Sequence, residues 1–221
     1  MTWKGQALMD KLLTIEQLHS NYLIGVVKGY TCEDAILKSE KMIEGGIKNI
    51  EITFNTPYGE LAIKTLTQKF DKSIIVGASA IQNAVTARLA IINGARYIAT
   101  PHLDVQIAHI CNVYQIPYLP RCGSKDEIIQ AMQYEVEVIK FYPANILGVN
   151  FMENIYETIP NINMIPYGGV SLENIDQWYK KGAFAIGIGN ALTKGSQKNQ
   201  LDTVINQTQA FVEKLNSLRL H

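Results

Sequence analysis

Eight short apolar runs, each followed by a segment of helical periodicity, recur through this chain of 221 residues. Their centres fall near positions 25, 50, 75, 98, 118, 139, 164 and 186, a spacing of 20 to 25 residues. The runs are continuous rather than alternating, as in Leu23-Ile24-Gly25-Val26-Val27 and Ile74-Ile75-Val76-Gly77. A strand of that kind is covered on both faces. One helix per strand makes parallel βαβ units. Eight units predict an α/β fold, a (β/α)8 TIM barrel. A further helix, residues 3–19, precedes the first strand, with Leu8, Leu12, Ile15 and Leu18 near one face. Residues 1–221 read as a single domain. A doubly wound open sheet is the alternative, but its G-x-G-x-x-G is missing: Lys28-Gly29-Tyr30 ends the first strand.

Local signals place the boundaries. Thr31 is an N-cap with Asp34 three residues on, and Gly45-Gly46 stops that helix. Ile47 to Thr53 is the second strand, and Pro57 starts the next helix. Later helices are expected from Ile81, Leu103, Ser124, Asn150 and Ser171, and a last one over about 199–217.

Composition narrows the function classes. The chain is 47% hydrophobic and 18% charged with zero formal net charge. That supplies a full core and gives no reason to expect nucleic acid or an anionic membrane as partner. No apolar run approaches a membrane span, and Met1-Thr2-Trp3-Lys4-Gly5-Gln6 has no signal-peptide core. Cys32, Cys111 and Cys122 are odd in number and lack metal spacing, which fits a reduced, cytoplasmic chain.

Barrels of this type carry their chemistry at the C-terminal strand ends. Lys140 ends the sixth run, in Val136-Glu137-Val138-Ile139-Lys140-Phe141-Tyr142-Pro143-Ala144. Burial there lowers an amine's pKa, and a neutral amine attacks ketones to form a Schiff base. The plainer reading is a lysine snorkelling from a strand end. Glu51 lies inside the second strand, where a carboxylate is costly without a partner. It is either half of a structural ion pair with Lys140 or a general acid/base beside it. Around these, the strand-end candidates for substrate contact are Lys28, Thr53, Asn55, Ser79, Pro101, His102 and Arg121. Gly168 and Gly169 after strand seven, and Gly189 and Asn190 after strand eight, offer backbone cradles for phosphate or carboxylate. Ser171 is expected to open a helix whose N-terminus favours an anion. His102, Asp104 and His109 do not have zinc spacing, so no protein-bound metal or other cofactor is expected.

The stretches Gly25-Val26-Val27-Lys28, Gly45-Gly46-Ile47 to Ile50-Glu51-Ile52-Thr53, Val76-Gly77-Ala78, Lys140-Phe141-Tyr142-Pro143-Ala144 and Pro166-Tyr167-Gly168-Gly169-Val170-Ser171 together resemble one family. This is the bacterial 2-keto-3-deoxy-6-phosphogluconate aldolase / 4-hydroxy-2-oxoglutarate aldolase family, from Ile24 to about Leu192. The resemblance implies a metal-independent class I aldolase that splits a 2-oxo-4-hydroxy acid into pyruvate and an aldehyde. It implies Lys140 as the Schiff-base lysine and Glu51 as the acid/base. Phe141 and Pro143 would hold the lysine's setting, and the two glycine loops the substrate phosphate. It also implies a homotrimer and a phosphorylated keto acid as small-molecule partner.

The chain departs from the family pattern around that pair. Lys28 stands for an arginine, and Thr53-Phe54-Asn55-Thr56 for T-L-R-T, so the carboxylate-gripping arginine becomes Asn55. Gly77-Ala78-Ser79-Ala80 replaces G-A-G-T, Arg121 the glycine of L-P-G, Tyr167 the threonine of P-T-G-G, and Gly189-Asn190 part of G-G-S. Arg121 is a candidate replacement contact for carboxylate or phosphate. The leading expectation is an aldehyde-lyase acting through a lysine imine. A binding barrel with weak catalysis is the alternative, and a phosphosugar isomerase or epimerase lacks the second acid it would need.

Overall fold

The computed structural model describes residues 3–193 and 201–220. Its eight strands are β1 (Leu23–Val27), β2 (Asn49–Thr53), β3 (Ile75–Ser79), β4 (Ile98–Thr100), β5 (Tyr118–Cys122), β6 (Val138–Phe141), β7 (Asn163–Pro166) and β8 (Ile186–Ile188). All pair in parallel, in the order β7-β6-β5-β4-β3-β2-β1-β8. A bridge between Tyr167 and Gly187 brings the two ends of the sheet together. The result is the (β/α)8 barrel that eight βαβ units predict.

The helices are α1 (Trp3–Asn21), α2 (Cys32–Glu44), α3 (Gly59–Phe70), α4 (Ala84–Ile92), α5 (Val105–Tyr114), α6 (Lys125–Met132), α7 (Ala144–Leu147), α8 (Val149–Thr158), α9 (Ile175–Lys180), α10 (Asn190–Thr193) and α11 (Leu201–Arg219). Residues 199 and 200 of the expected last helix lie outside the described residues. Side-chain caps set several starts. Thr31, Asn83, Asp104 and Ser124 each accept a hydrogen bond from the backbone N–H three residues on. Ser124 and Glu127 form a reciprocal capping box. The fourth and fifth helices therefore begin a few residues after Ile81 and Leu103. Tyr58 takes a left-handed conformation, φ 53°, so α3 begins at Gly59 rather than Pro57.

Two apolar layers explain the continuous strand runs. Ile24, Val26, Ile75, Tyr97, Ala99, Leu119, Val138 and Ile165 fill the barrel interior. Their strand neighbours, such as Val27, Ile52, Val76 and Phe141, face the helices. The barrel floor is closed by α1, but not by the apolar face that its periodicity suggests. Leu8 and Leu12 are about half exposed, whereas Lys11, Thr14 and Leu18 are buried. Polar anchoring decides this orientation. Lys11 pairs with Glu137 at 2.7 Å, and Arg96 donates to the Thr14 hydroxyl at 2.8 Å. Leu18 alone of the stripe is sealed in the interior, and its truncation to alanine would cost about 2–5 kcal/mol.

Candidate active site

Parallel register places the polar residues at one height. Glu51 is the register partner of Val26 and Gly77, and Lys140 of Arg121 and Ile165. Val26 and Ile165 point into the barrel, so these neighbours do as well. Lys140 Nζ and Glu51 Oε1 meet there as an ion pair, with both side chains wholly buried. Burial pushes the Lys140 amine below its ordinary pKa. Glu51 pulls it back up, and the Arg121 cation adds to the lowering. A charged pair so enclosed has little to recommend it as a stabilising device. It gives a carboxylate and a proton-releasing amine in direct contact.

The surroundings are polar and unsatisfied. Among the described residues, five side chains carry a buried polar atom without a hydrogen-bond partner: Glu51 (Oε2), Thr53, Thr67, Ser79 and Tyr97. Four of them, all but Thr67, lie on or next to β2, β3 and β4. Thr53 and Ser79 are register partners at the C-terminal ends of β2 and β3. Native interiors leave few such atoms, so the unsatisfied hydroxyls of Thr53 and Ser79 at the barrel mouth mark a place for polar atoms that are not the protein's own.

Above the pair lies a cavity of about 400 Å³, lined by Arg121, Tyr142, Tyr167, Gly168, Gly169, Gly189 and Asn190 among others. Among the described residues that line it, Arg121 is the one cation. Its guanidinium sits 4.4 Å from the Tyr142 ring centre and 5.1 Å from that of Tyr167. Tyr142 and Tyr167 stack on each other, centres 5.8 Å apart, and Lys140 Nζ is 4.6 Å from the Tyr167 ring centre. Gly187 gives Tyr167 its room: a Cβ there would approach the ring to 2.9 Å. Gly168 and Gly169 adopt φ of 93° and 81°, a region that favours glycine.

The expected site residues thus separate into groups. Lys140, Glu51, Thr53 and Ser79 gather in the barrel mouth; Arg121, Gly168, Gly169, Gly189 and Asn190 line the adjoining cavity. Lys28 is exposed and lines a neighbouring pocket with Tyr30, Lys38 and Asn190. Asn55, Pro101 and His102 are exposed residues past their strand ends, outside the cavity lining. Phe141 faces outward, against Phe151 and Trp178, and can act only through packing. Ser171 does not open a helix: α9 starts at Ile175, and the Ser171 N–H already donates to Asn174. Cys122 ends β5, and burial pushes its thiol up to about 12. Tyr142, just past the end of the sixth run, lines the cavity as a strand-end residue should, whereas Tyr97 is not singled out by the sequence. Its only signal is an aromatic beside a strand, which is more often core.

Among the described residues no three or more His, Cys, Asp and Glu side chains cluster as metal ligands, and no helix is long and apolar enough to cross a membrane.

Comparison with known proteins supplies the family. The chain is 23% identical over 192 residues to the 2-dehydro-3-deoxy-6-phosphogalactonate aldolase of Escherichia coli, covering 86% of this chain and 93% of that protein. It is 28% identical to the 2-dehydro-3-deoxy-phosphogluconate aldolase of Treponema pallidum, covering 76% and 80%. The fold superposes on a structure described as native KDPGal with a TM-score of 0.84 at 22% identity, covering 90% and 96% of the two chains. It also superposes on the KDPG aldolase of Legionella pneumophila, solved with pyruvate captured as a covalent carbinolamine, with a TM-score of 0.79 at 21% identity, covering 94% and 98%. The family model for KDPG and KHG aldolase matches residues 14–207, and the chain belongs to that aldolase family.

Proposed function

We propose that the protein is a class I aldolase that cleaves a 2-oxo-3-deoxy sugar acid bearing a 6-phosphate, yielding pyruvate and a phosphorylated aldehyde. The observation that carries this reading is the sealed Lys140–Glu51 pair at the strand ends, with the amine held below its ordinary pKa. Lys140 passes a proton to Glu51, its neutral nitrogen attacks C2, and Glu51 gives that proton to the carbinolamine hydroxyl, which leaves as water and yields a protonated imine. Glu51 takes the C4 hydroxyl proton as the C3–C4 bond breaks, and that electron pair flows to the imine nitrogen. The aldehyde leaves. Glu51 returns the proton to C3 of the enamine, and water hydrolyses the imine to release pyruvate.

The other residues divide the substrate between them. The orphan hydroxyls of Thr53 and Ser79 suit the pyruvyl carboxylate. Arg121, with the glycine loops at 168–169 and 189–190 in the same cavity, suits the phosphate, which it can grip with two parallel N–H bonds. Two of the relatives' names, phosphogluconate and phosphogalactonate, share that carbon skeleton and differ at C4. The reading covers both.

Intact-mass spectrometry after incubation with pyruvate and borohydride tests the mechanism. The expected product carries one reduced pyruvyl group per chain, mapped by digestion to Lys140 and absent from Lys140→Ala. No adduct between about pH 6 and 9, where a lowered amine is partly neutral, would overturn the imine route. Pyruvate release from the two phosphorylated sugar acids then ranks them.

A further inference from the structure

Tyr97 is, by size, the first of the fully buried side chains among the described residues. It precedes β4 and lies inside the barrel. Its ring does not stay over its own strand. It lies on Gly77 of β3, where a Cβ would come within 2.1 Å of the ring. A glycine within a strand marks such a close approach. Crossing β3 brings the ring toward β2, where Glu51 is the register partner of Gly77.

Two buried polar atoms in this part of the barrel lack a hydrogen-bond partner. Glu51 Oε1 is engaged by Lys140, while Oε2 has no partner among the described residues. The Tyr97 hydroxyl also has none. The ring atom nearest to a Cβ built on Gly77 is Cζ, the carbon that bears the hydroxyl, so the phenol end of Tyr97 lies over the register partner of Glu51. Burial first, and then the charge of Glu51, keep Tyr97 protonated well above its ordinary range. An ionised carboxylate only accepts and a protonated phenol donates. Each buried polar group left unsatisfied costs about 1–3 kcal/mol. Phenylalanine would fill the same space without that cost.

We propose that Tyr97 is a positioning residue for Glu51: its hydroxyl donates to Oε2 and holds the carboxylate plane so that Oε1 faces the lysine and the reacting carbons. The proposal rests on the aldolase reading above for its catalytic consequence. Imine formation needs the Lys140 amine. Proton transfer at C3 needs a correctly aimed Glu51. Tyr97 therefore belongs to the second step.

The test uses full-length Tyr97→Phe in the wild-type and Glu51→Gln backgrounds. Borohydride trapping with pyruvate reads imine formation. Exchange of the pyruvate methyl hydrogens in D2O reads proton transfer at C3. Tyr97→Phe is expected to slow exchange about ten-fold, the size of a hydrogen bond to a charged group, with trapping changed less than about two-fold. In the Glu51→Gln background the same change should slow exchange less than about two-fold. Exchange that falls no further than trapping, or by the same factor in both backgrounds, overturns the proposal and leaves the aldolase standing. If the wild-type chain does not trap pyruvate, the aldolase reading is what fails. Urea midpoints of the four chains then judge the contact: non-additive shifts support it, and additive shifts overturn it.

Discussion

Arg121 and Lys140 are register partners on β5 and β6, so two cationic side chains enter the barrel mouth side by side. Their mutual repulsion favours the neutral amine, while Glu51 favours the charged one. The two neighbours therefore move the pH dependence in opposite directions. Pyruvate trapping should rise with pH through the folded-state pKa of Lys140, with a midpoint below 10.5. Arg121→Gln removes a lowering charge and should shift the midpoint upward. Glu51→Gln removes a raising charge and should shift it downward. Borohydride trapping rates across a pH series measure both. Equal midpoints in all three chains would show that neither charge reaches the amine.

Tyr167 covers that amine. Its ring lies 4.6 Å from Nζ, and Lys140 has no exposed surface. A keto acid can reach the nitrogen only if the ring gives way. Tyr167→Ala should raise the second-order rate of pyruvate trapping about two- to five-fold, corresponding to a cation–ring contact of about 0.5–1 kcal/mol. It should also weaken competition by inorganic phosphate, because Arg121 loses one of the two faces that hold it. Stopped-time trapping with and without phosphate measures both effects. An unchanged trapping rate would mean that the ring does not limit entry.

The Lys140–Glu51 pair should cost the fold rather than support it. Lys140→Met strands a buried carboxylate and should destabilise by about 3–5 kcal/mol, whereas Lys140→Met with Glu51→Leu should come back to within about 1 kcal/mol of wild type. The pH dependence carries a sign of its own. The folded-state pKa of Lys140 lies below its unfolded value. Between the two, the unfolded chain binds more protons, so unfolding free energy rises with pH. That slope should vanish in Lys140→Met. Urea denaturation as a function of pH measures both.

The strand positions were legible because a parallel strand buried on both faces is apolar throughout, and any lysine or glutamate in it stands out. That contrast alone picks out Lys140 and Glu51. What could not be read depends on direction. Phe141 adjoins Lys140 in sequence yet faces the helices, because alternate strand residues point to opposite faces. The α1 stripe of Leu8 and Leu12 stays half exposed because Lys11 and Thr14 find polar partners at the barrel floor. Ser171 precedes a loop turn rather than a helix because Asn174 takes its N–H. Lys28 and Asn55 sit at strand ends, as the cavity residues do, but nothing in their spacing distinguishes an outer rim from a lining. Arg121 and Tyr167 were visible as departures from a family pattern. Their contact with each other and with Lys140 required the closed barrel.

Gly77 should be the least replaceable small residue of β3. Its Cα faces the Tyr97 ring so closely that a methyl group would overlap ring atoms. The ring is fully buried and packed among Ile24, Val26 and Leu119, so it has no free direction in which to retreat. Gly77→Ala should therefore destabilise by about 1–3 kcal/mol through overpacking. Pairing it with Tyr97→Ala, which vacates the ring, separates the causes. If steric overlap with the ring is the source of the loss, adding Gly77→Ala to Tyr97→Ala should cost less than about 1 kcal/mol more. If the added cost is the same in both backgrounds, the strand backbone itself demands glycine and the ring is incidental. Thermal or urea denaturation of the four chains decides between these outcomes. The result also bears on catalysis, since a displaced Tyr97 ring carries its hydroxyl away from Glu51 Oε2.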